Sequence, residues 1–408
     1  MKHIQSRLLQ SPTNRIKKSY QAVVVIAIIS TIFIMGCTRY DAVRIVRIAT
    51  SRDISSAAQV AAKGKAIQYV SNPKALGNDI KSLKKLIKEL TKAIGGNWGN
   101  DEIILPSPKK YVKYTQNYKS RAMVDFDNGI VTVETVDTQS PLKSLREAII
   151  ITLLTPNDPR AVDLYSSKAI ELGSTPFLLG EVLDFDGKPI RWNWRAERFA
   201  DTLLKKDLHK RNGNGKKQIH YVTIPMVQDH LYVRAAKYKT LVKTSAKHFK
   251  VSPNLIYAIM KVESDFNPFA ISHAMAVGLM QVVPKTAGSD VYAMLHGKKG
   301  KPTPKSLLDP KTNITYGTGY LHMLQNRFLA GISDPVSREY CVIAAYNGGP
   351  GAVLRIFDNN KKKAARKINA MGPMRVYNQL EKKLPRYETR RYLVKVLHAK
   401  KDFINNTL

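Results

Sequence analysis

The stretch "VSPNLIYAIMKVESDFNP" (residues 251–268) predicts a helix that carries an acidic side chain on its apolar face. Ser252 is a suitable N-cap, and Pro253 occupies the first helical position, where its missing N–H is not needed. At about 100° per residue, the carboxyl group of Glu263 falls within the apolar stripe of the helix. The stripe is made by Ile256, Ile259 and Met260. Glu263 is therefore expected to face inward.

The same helix places Asp265 on its opposite side, where this residue is expected to face water. The helix should end before Pro268, because the residue before a proline avoids the α region. An inward carboxyl group near the C-terminal end of a helix has two reasons to keep its proton, desolvation and the helix dipole. Glu263 therefore suits general acid catalysis. The alternative, which this helix alone leaves open, is a structural ion pair between Glu263 and a Lys or Arg.

The charge balance of the chain indicates the chemistry of its partner. The 408 residues include 66 Lys and Arg against 31 Asp and Glu, which gives a net charge of +35. A chain of this length is natural for two domains, each with its own core. The positive charge indicates a polyanionic partner, which can be nucleic acid, an anionic membrane or an acidic polymer.

The N-terminus has the pattern of an export signal. A basic stretch precedes an apolar run from Ala22 to Met35, which is shorter than the about 20 residues of a membrane-spanning helix. The run ends in "IMGC", which resembles a bacterial lipobox, so residues 1–36 are expected to be a signal peptide and Cys37 the lipidated first residue. An uncleaved signal anchor is the alternative. Because Thr38 rather than Asp follows the cysteine, the expected location is the periplasmic face of the outer membrane, through the lipid anchor.

The sequence predicts neither a disulfide framework nor a metal site. The chain has two cysteines, and the second, Cys341, lies within a helical pattern and is expected to be a small buried residue. The nine histidines show no ligand-like pairing with Cys or acidic residues, and His322 and His398 are expected to be packing residues. No cofactor is predicted.

Residues 37–95 are expected to form a lipidated tether that ends in an amphipathic helix. The pattern "DIKSLKKLIKELTKAIGG" (residues 79–96) places apolar side chains at helical intervals and lysines elsewhere, with Gly95-Gly96 as the expected end. The apolar positions are Ile80, Leu83, Ile87, Leu90 and Ile94. We expect the helix to pack on the next domain, and contact with anionic lipid is the alternative.

Residues 96–228 are expected to form an α+β domain without a catalytic constellation. Strand patterns occur at residues 102–105, 110–115, 177–190 and 219–227, and residues 122–136 form a hairpin pattern around Asn128-Gly129. Helical patterns cover residues 141–154 and 196–206, and the polar stretch 211–217 is expected to be a loop. From residue 229 to residue 408 the segments are helical in pattern. The fold class is therefore α+β, with an N-terminal α+β domain followed by an all-α domain that contains Glu263.

Four short blocks in the helical domain carry a resemblance that none of them carries alone. They are "ESDFNP" (263–268), "GLMQ" (278–281), "AYNGG" (345–349) and "ETRRY" (388–392). Taken singly, "AYNGG" is also typical of a helix that ends at a glycine cap, and "GLMQ" of a turn. In this order and spacing they resemble the lytic transglycosylases of the soluble lytic transglycosylase type, whose fold is goose-lysozyme-like. The resemblance by motif covers the C-terminal domain.

The resemblance implies roles for residues in these blocks. Glu263 would be the single acid/base, and the residues that contact substrate would be Ser272, Met280, Gln281, Tyr346, Asn347, Glu388 and Tyr392. Ser272 and Gln281 would contact N-acetyl groups, Tyr346 and Asn347 would line the cleft, and Glu388 and Tyr392 would lie beneath Glu263 or along the groove. A core aromatic is the alternative role for Tyr392.

The implied reaction cleaves the MurNAc–GlcNAc bond of peptidoglycan. Glu263 would protonate the glycosidic oxygen and then accept the proton of the C6 hydroxyl, which attacks C1 and closes a 1,6-anhydro ring. The partner would be peptidoglycan glycan strands, whose carboxylates match the net charge, and nucleic acid is not expected behind an export signal. Three alternatives stay open: a lysozyme-type hydrolase, a non-catalytic murein-binding lipoprotein and an uncleaved membrane protein.

Overall fold

The computed structural model describes residues 73–173, 175–213 and 217–405, which fall within the compact unit Ile67–Leu408. The predicted signal peptide, Cys37 and most of the tether lie outside the described residues. Within the described part of the chain, no helix is both long enough and apolar enough to cross a membrane.

An antiparallel five-stranded sheet forms the centre of the N-terminal domain. Its strands are β1 (Lys110–Thr115), β2 (Ser120–Asp125), β3 (Ile130–Thr135), β4 (His209–Asn212) and β5 (Gln218–Pro225), in the spatial order β1-β2-β3-β5-β4. In the β2–β3 hairpin Asp125 pairs with Ile130, and Gly129 has a φ of 66°, which glycine adopts without a steric cost. The hairpin predicted around Asn128-Gly129 is confirmed.

Helices cover both faces of this sheet, because neighbouring apolar residues, such as Tyr111 and Val112 in β1, point to opposite faces. One face packs against α2 (Pro141–Leu154) and α3 (Asn193–Lys206) through residues such as Tyr111, and the other face packs against α1 (Pro73–Trp98) through residues such as Val112. The lysine-rich helix therefore packs on the domain that follows it, as expected.

Helix α1 continues two residues beyond the predicted glycine stop. The indole of Trp98 is buried and donates its N–H to the backbone oxygen of Tyr118 at 2.6 Å, so tertiary packing holds the last turn. The helix ends where Gly99 adopts a φ of 82°. Gly95 and Gly96 weaken a helix by their flexibility but do not forbid it.

Three strand assignments in this domain differ from the sequence pattern. Residues 102–105 form no strand, and residues 177–190 form turns with isolated β-bridges. Strand β4 begins in a segment without apolar alternation and includes Arg211 and Asn212, which the sequence places in a loop. It is an edge strand whose side chains are largely exposed, so no buried face imposes a period of two on its sequence.

The C-terminal domain is helical. Its helices are α4 (His230–Ala236), α5 (Lys239–Phe249), α6 (Pro253–Ser264), α7 (Ala287–His296), α8 (Pro304–Leu307), α9 (Pro310–Met323), α10 (Pro335–Gly348), α11 (Pro350–Arg355), α12 (Lys361–Asn369), α13 (Pro373–Lys383) and α14 (Tyr387–Asn405), with a π-helical turn at Leu324–Phe328. The sequence pattern is helical across residues 232–249, whereas the structure forms two helices there, α4 and α5.

Helix α6 lies at the centre of this domain. It starts after Ser252 with Pro253 in its first turn, as the sequence predicts, and ends at Ser264, before Pro268. All six residues from Leu255 to Met260 are buried, mainly against α14 and α5, so the helix is covered on more sides than its apolar stripe indicates.

Candidate functional site

Glu263 occupies the last turn of α6 and is 3% exposed, so the inward orientation predicted for it is confirmed. The hydroxyl group of Tyr392, on α14, donates a hydrogen bond to Oε1 of Glu263 at 2.8 Å. Burial raises the pKa of Tyr392 well above its ordinary value, and the nearby Tyr346 and Glu388 raise it further. Tyr392 therefore remains a hydrogen-bond donor to the carboxyl group, and it is more than a core aromatic.

Asp265 does not face water, contrary to the expectation from the helical pattern. Its side chain is 0% exposed and forms ion pairs with Lys109 of the N-terminal domain and with Lys261. The expectation was wrong because it extended the helix beyond its end. The helix stops at Ser264, and Asp265 adopts a left-handed backbone conformation with a φ of 52°, which turns its side chain toward the other domain.

The "GLMQ" block forms a loop fixed to the end of α6. Ser264 donates its hydroxyl proton to the backbone oxygen of Leu279 at 2.7 Å. Asn313, fully buried at the start of α9, accepts from the backbone N–H of Met280 at 2.8 Å and donates to the carbonyl oxygens of Val277 and Leu307 at 2.7 Å each. These bonds hold the loop between the end of α6 and the start of α9.

A glycine is required at position 278 of this loop. Its φ is 73°, and a Cβ there would lie 2.3 Å from Nδ2 of Asn313 and 2.6 Å from the backbone oxygen of Leu307. Both the backbone conformation and the available space therefore exclude a larger residue without rearrangement.

Gln281 ends the block with an amide side chain that is only partly used. Its Nε2 donates to the backbone oxygens of Gly278 at 2.9 Å and Ala270 at 3.2 Å, whereas its buried Oε1 has no hydrogen-bond partner among the described residues. Its φ of 48° is left-handed. Met280 is fully buried, and its side chain would collide with any Cβ at position 317, so it packs in the core against α9.

The "AYNGG" and "ETRRY" blocks meet at the ends of α10 and α14. Tyr346 donates its hydroxyl proton to the backbone oxygen of Met280 at 2.9 Å. Asn347 accepts at Oδ1 from the hydroxyl of Thr389 at 2.7 Å, and its buried Nδ2 has no hydrogen-bond partner among the described residues. Residues from all four sequence blocks are thereby joined around Glu263.

Of the predicted substrate-binding residues, Ser272 is buried and Glu388 is exposed. Ser272 is buried, and its Oγ accepts from the backbone N–H of Ala276 at 3.0 Å, which closes a turn in the loop between α6 and α7. Glu388 is exposed in the first turn of α14, one helical turn before Tyr392.

Three residues that organise the site were not singled out in the sequence: Ser264, Asn313 and Thr389. Ser264 lies in "ESDFNP" and Thr389 in "ETRRY", so their positions in these blocks could have identified them as candidate site residues. Asn313 lies outside them, and a buried asparagine at a helix start has no distinctive pattern.

Cys341 is buried on α10, as expected, and burial raises the pKa of its thiol to about 12. In the part of the chain that the structure describes, no group of three or more His, Cys, Asp or Glu side chains has a metal-binding arrangement.

The comparisons with known proteins agree with this architecture. Residues 240–369 match the family model of the transglycosylase SLT domain, which gives the class of the chain as a lytic transglycosylase with an SLT domain. Residues 76–237 match the model of the N-terminal domain of membrane-bound lytic murein transglycosylase C.

Two curated relatives carry the same description over most of their length. Membrane-bound lytic murein transglycosylase C of Serratia proteamaculans is 47% identical over 330 residues, which are 81% of this chain and 92% of the relative. The protein of that name from Yersinia pestis is 48% identical over 326 residues, 80% of this chain and 90% of its own. The chain belongs to the membrane-bound lytic murein transglycosylase C family.

Solved structures of lytic transglycosylases align only in part. An inactive mutant of the lytic transglycosylase Slt from Pseudomonas aeruginosa aligns with a TM-score of 0.31 and 24% identity. The 70 kDa soluble lytic transglycosylase from Escherichia coli aligns with a TM-score of 0.32 and 26% identity. Each alignment covers 41% of this chain and 24% of the other chain.

Proposed function

We propose that this protein cleaves the β-1,4 bond between MurNAc and GlcNAc in peptidoglycan without water and leaves 1,6-anhydroMurNAc ends. The observation that carries this proposal is the buried Glu263, held at the end of α6 by the hydroxyl group of Tyr392. The SLT domain match and the family membership support the class of reaction and the polymer.

Glu263 performs both proton transfers in the proposed reaction. Burial and the C-terminal end of α6 favour the neutral carboxyl group, which donates its proton to the glycosidic oxygen as the C1–O bond breaks. The resulting carboxylate accepts the proton of the C6 hydroxyl group, whose oxygen bonds to C1 and closes the anhydro ring. Glu263 is thus protonated again at the end. The bond from Tyr392 orients the carboxyl group and stabilises it while it is ionised.

A hydrolase of the two-carboxylate kind needs a second acidic group as nucleophile or as the base that activates water. Asp265, the acidic residue nearest in sequence, points into the domain junction and is engaged by two lysines. Glu388 is exposed in the first turn of α14, and we assign it as a substrate contact. The N-acetyl oxygen of the substrate stabilises the positive charge that develops at C1.

The substrate contacts follow from buried polar atoms that the described residues do not satisfy. Oε1 of Gln281 is an acceptor and Nδ2 of Asn347 is a donor, and together they match the N–H and C=O groups of acetamido substituents. The hydrogen bond from the hydroxyl of Tyr346 to the backbone oxygen of Met280 holds the "GLMQ" loop next to Asn347. Ser272 lies in the same loop as Gln281.

The test is Glu263→Gln, which keeps the shape of the side chain but removes both proton transfers. We expect turnover of purified sacculi to fall by about 10²–10⁴-fold or more while the protein remains folded. Mass analysis of the wild-type products should give muropeptides lighter by one water than lysozyme products. Reducing-end products would establish the hydrolase instead, and a folded, fully active Glu263→Gln protein would refute the assignment of the acid. Binding to sacculi without any product would indicate a murein-binding protein.

We further propose that Cys37 carries lipid and holds the protein on the periplasmic face of the outer membrane. The support is the lipobox-like sequence before Cys37 and the membrane-bound description of the relatives. Cys37→Ser should abolish palmitate labelling and association with outer-membrane fractions, whereas Cys341→Ser, the control, should retain both. Labelling of the Cys37→Ser protein would contradict the proposal, and a wild-type protein that retains residues 1–36 would favour an uncleaved anchor.

A further inference from the structure

The backbone that follows Glu263 is held in an unfavourable conformation. Asp265 and Phe266 are consecutive non-glycine residues with φ values of 52° and 57°, in the left-handed region. Such residues are strained and persist only where the surrounding structure fixes them. The contacts of residues 265–269 therefore show what holds the end of the catalytic helix in place.

Charged residues of both domains meet at this point. Oδ2 of Asp265 lies 2.5 Å from Nζ of Lys109, and its Oδ1 is bound by Lys261. Asp127, in the β2–β3 turn, lies 3.7 Å from Lys109 and 3.5 Å from Lys261. This junction cluster (Lys109, Asp127, Lys261 and Asp265) alternates in charge and takes two members from each domain. Lys261 and Asp265 stand two residues before and two residues after Glu263.

Neutral contacts from the N-terminal domain support the same segment. The side-chain amide of Asn267 donates to the backbone oxygen of Pro108 at 2.9 Å, next to Lys109 in the chain. The ring of Phe269 packs against Tyr111 and Phe177, with centroid distances of 5.1 Å to each. The segment that leaves the catalytic helix is thus bound directly to the N-terminal domain.

We propose that Lys109 is a positioning residue for Glu263, and that the N-terminal domain acts on catalysis by fixing the end of α6 through the junction cluster. This inference rests on the proposed role of Glu263 as the acid. Without Lys109, the buried Asp265 is left with Lys261 as its cationic partner in the cluster. The strained turn then loses its ionic contact with the N-terminal domain and keeps the neutral contacts of Asn267 and Phe269, which lie beyond the turn. Glu263 then shifts relative to the scissile bond, and small displacements of a catalytic group are costly.

The test compares Lys109→Met with Lys110→Met in the full chain. The two lysines are adjacent and both 36% exposed, but Lys110 pairs at 3.1 Å with Asp125 of the same sheet and has no part in the junction cluster. With soluble glycan strands as substrate, Lys109→Met should lower kcat about tenfold or more and leave KM within about twofold. Lys110→Met should leave both unchanged, and Lys109→Arg should restore most of kcat.

The outcomes separate this inference from the proposed function. The positioning role of Lys109 is overturned if a folded Lys109→Met protein keeps the wild-type kcat, or if Lys110→Met loses as much kcat as Lys109→Met. The role of Glu263 as the acid is tested separately by Glu263→Gln. If Lys109→Met fails to fold, Asp127→Asn decides, because Asp127 lies between Lys109 and Lys261 in the cluster and, at 56% exposed, is expected to be replaceable without unfolding. That variant should lower kcat several-fold with KM unchanged, and a wild-type kcat refutes the inference.

Discussion

Replacing Tyr392 by Phe removes one hydroxyl group beside the proposed acid Glu263 and changes little else. The hydroxyl donates to Oε1 of Glu263 at 2.8 Å, and both side chains are nearly inaccessible to water. A hydrogen bond between neutral groups contributes about 0.5–1.5 kcal/mol, and one to a charged group about 1.5–3 kcal/mol. In the proposed reaction Glu263 is neutral before its proton leaves and charged afterwards, so the bond would strengthen during the reaction.

The part of this difference realised in the transition state is about 1–2 kcal/mol, which lowers kcat by about 5–30-fold in Tyr392→Phe. The pH profile should also change. A donor to the carboxylate favours its ionised form, so without that donor Glu263 keeps its proton to higher pH. The alkaline limb of the profile, where a general acid is lost, is therefore expected to move to higher pH.

The matched control is Tyr257→Phe. Tyr257 is as buried as Tyr392, at 5% exposed each, and lies on α6 itself, but its hydroxyl has no hydrogen-bond partner among the described residues. Steady-state release of muropeptides from soluble glycan strands, measured across pH for both variants, gives the comparison. The reasoning is refuted if Tyr392→Phe keeps the wild-type kcat and pH profile, or if Tyr257→Phe loses as much activity.

Three further predictions concern binding and stability. Sacculus binding should weaken as salt is added, because exposed charges are screened over about 10 Å at 0.1 M salt, and binding that stays constant in a salt titration would contradict a role for the net charge. Arg234→Met should cost about 3 kcal/mol in chemical denaturation, because it removes one of the two cations that pair with the buried Glu181 and two buried hydrogen bonds to backbone oxygens, and an unchanged midpoint would contradict this. Gly278→Ala should lower the unfolding midpoint more than Gly187→Ala, since both have positive φ but only Gly278 is crowded by neighbouring atoms; equal effects would argue against a tight loop.

Local patterns in the sequence predicted the elements whose residues alternate or repeat with a clear period. Residues 141–154 form a helix with the expected bounds, the helix 253–264 has the expected start, and the hairpin at Asn128-Gly129 forms. Residues 177–190 are apolar enough for a strand but form turns against the core of the sheet and its helices. Their hydrophobicity reflects burial rather than pairing, and a single sequence does not separate these two causes.

The parts of the site that depend on local sequence patterns were predictable, and the parts that depend on distant contacts were not. The inward position of Glu263 follows from helical periodicity, and its partner Tyr392 comes from a block 129 residues away. The burial of Asp265 was not predictable, because it depends on Lys109 in another domain and on a backbone turn that periodicity does not describe. The buried Asn313 that orders the "GLMQ" loop acts through hydrogen bonds across the fold, for which its local sequence contains no signal.

The ring of Phe269 belongs to the hydrophobic core of the N-terminal domain, although the two family models meet between residues 237 and 240. A chain synthesised from its N-terminus therefore exposes an incomplete N-terminal core until about thirty further residues have followed, including the whole of α6. The order of folding then differs from the order of the domains in the sequence. The segment after Glu263 completes the core on this face of the N-terminal sheet, so packing of that core and placement of the end of α6 are coupled.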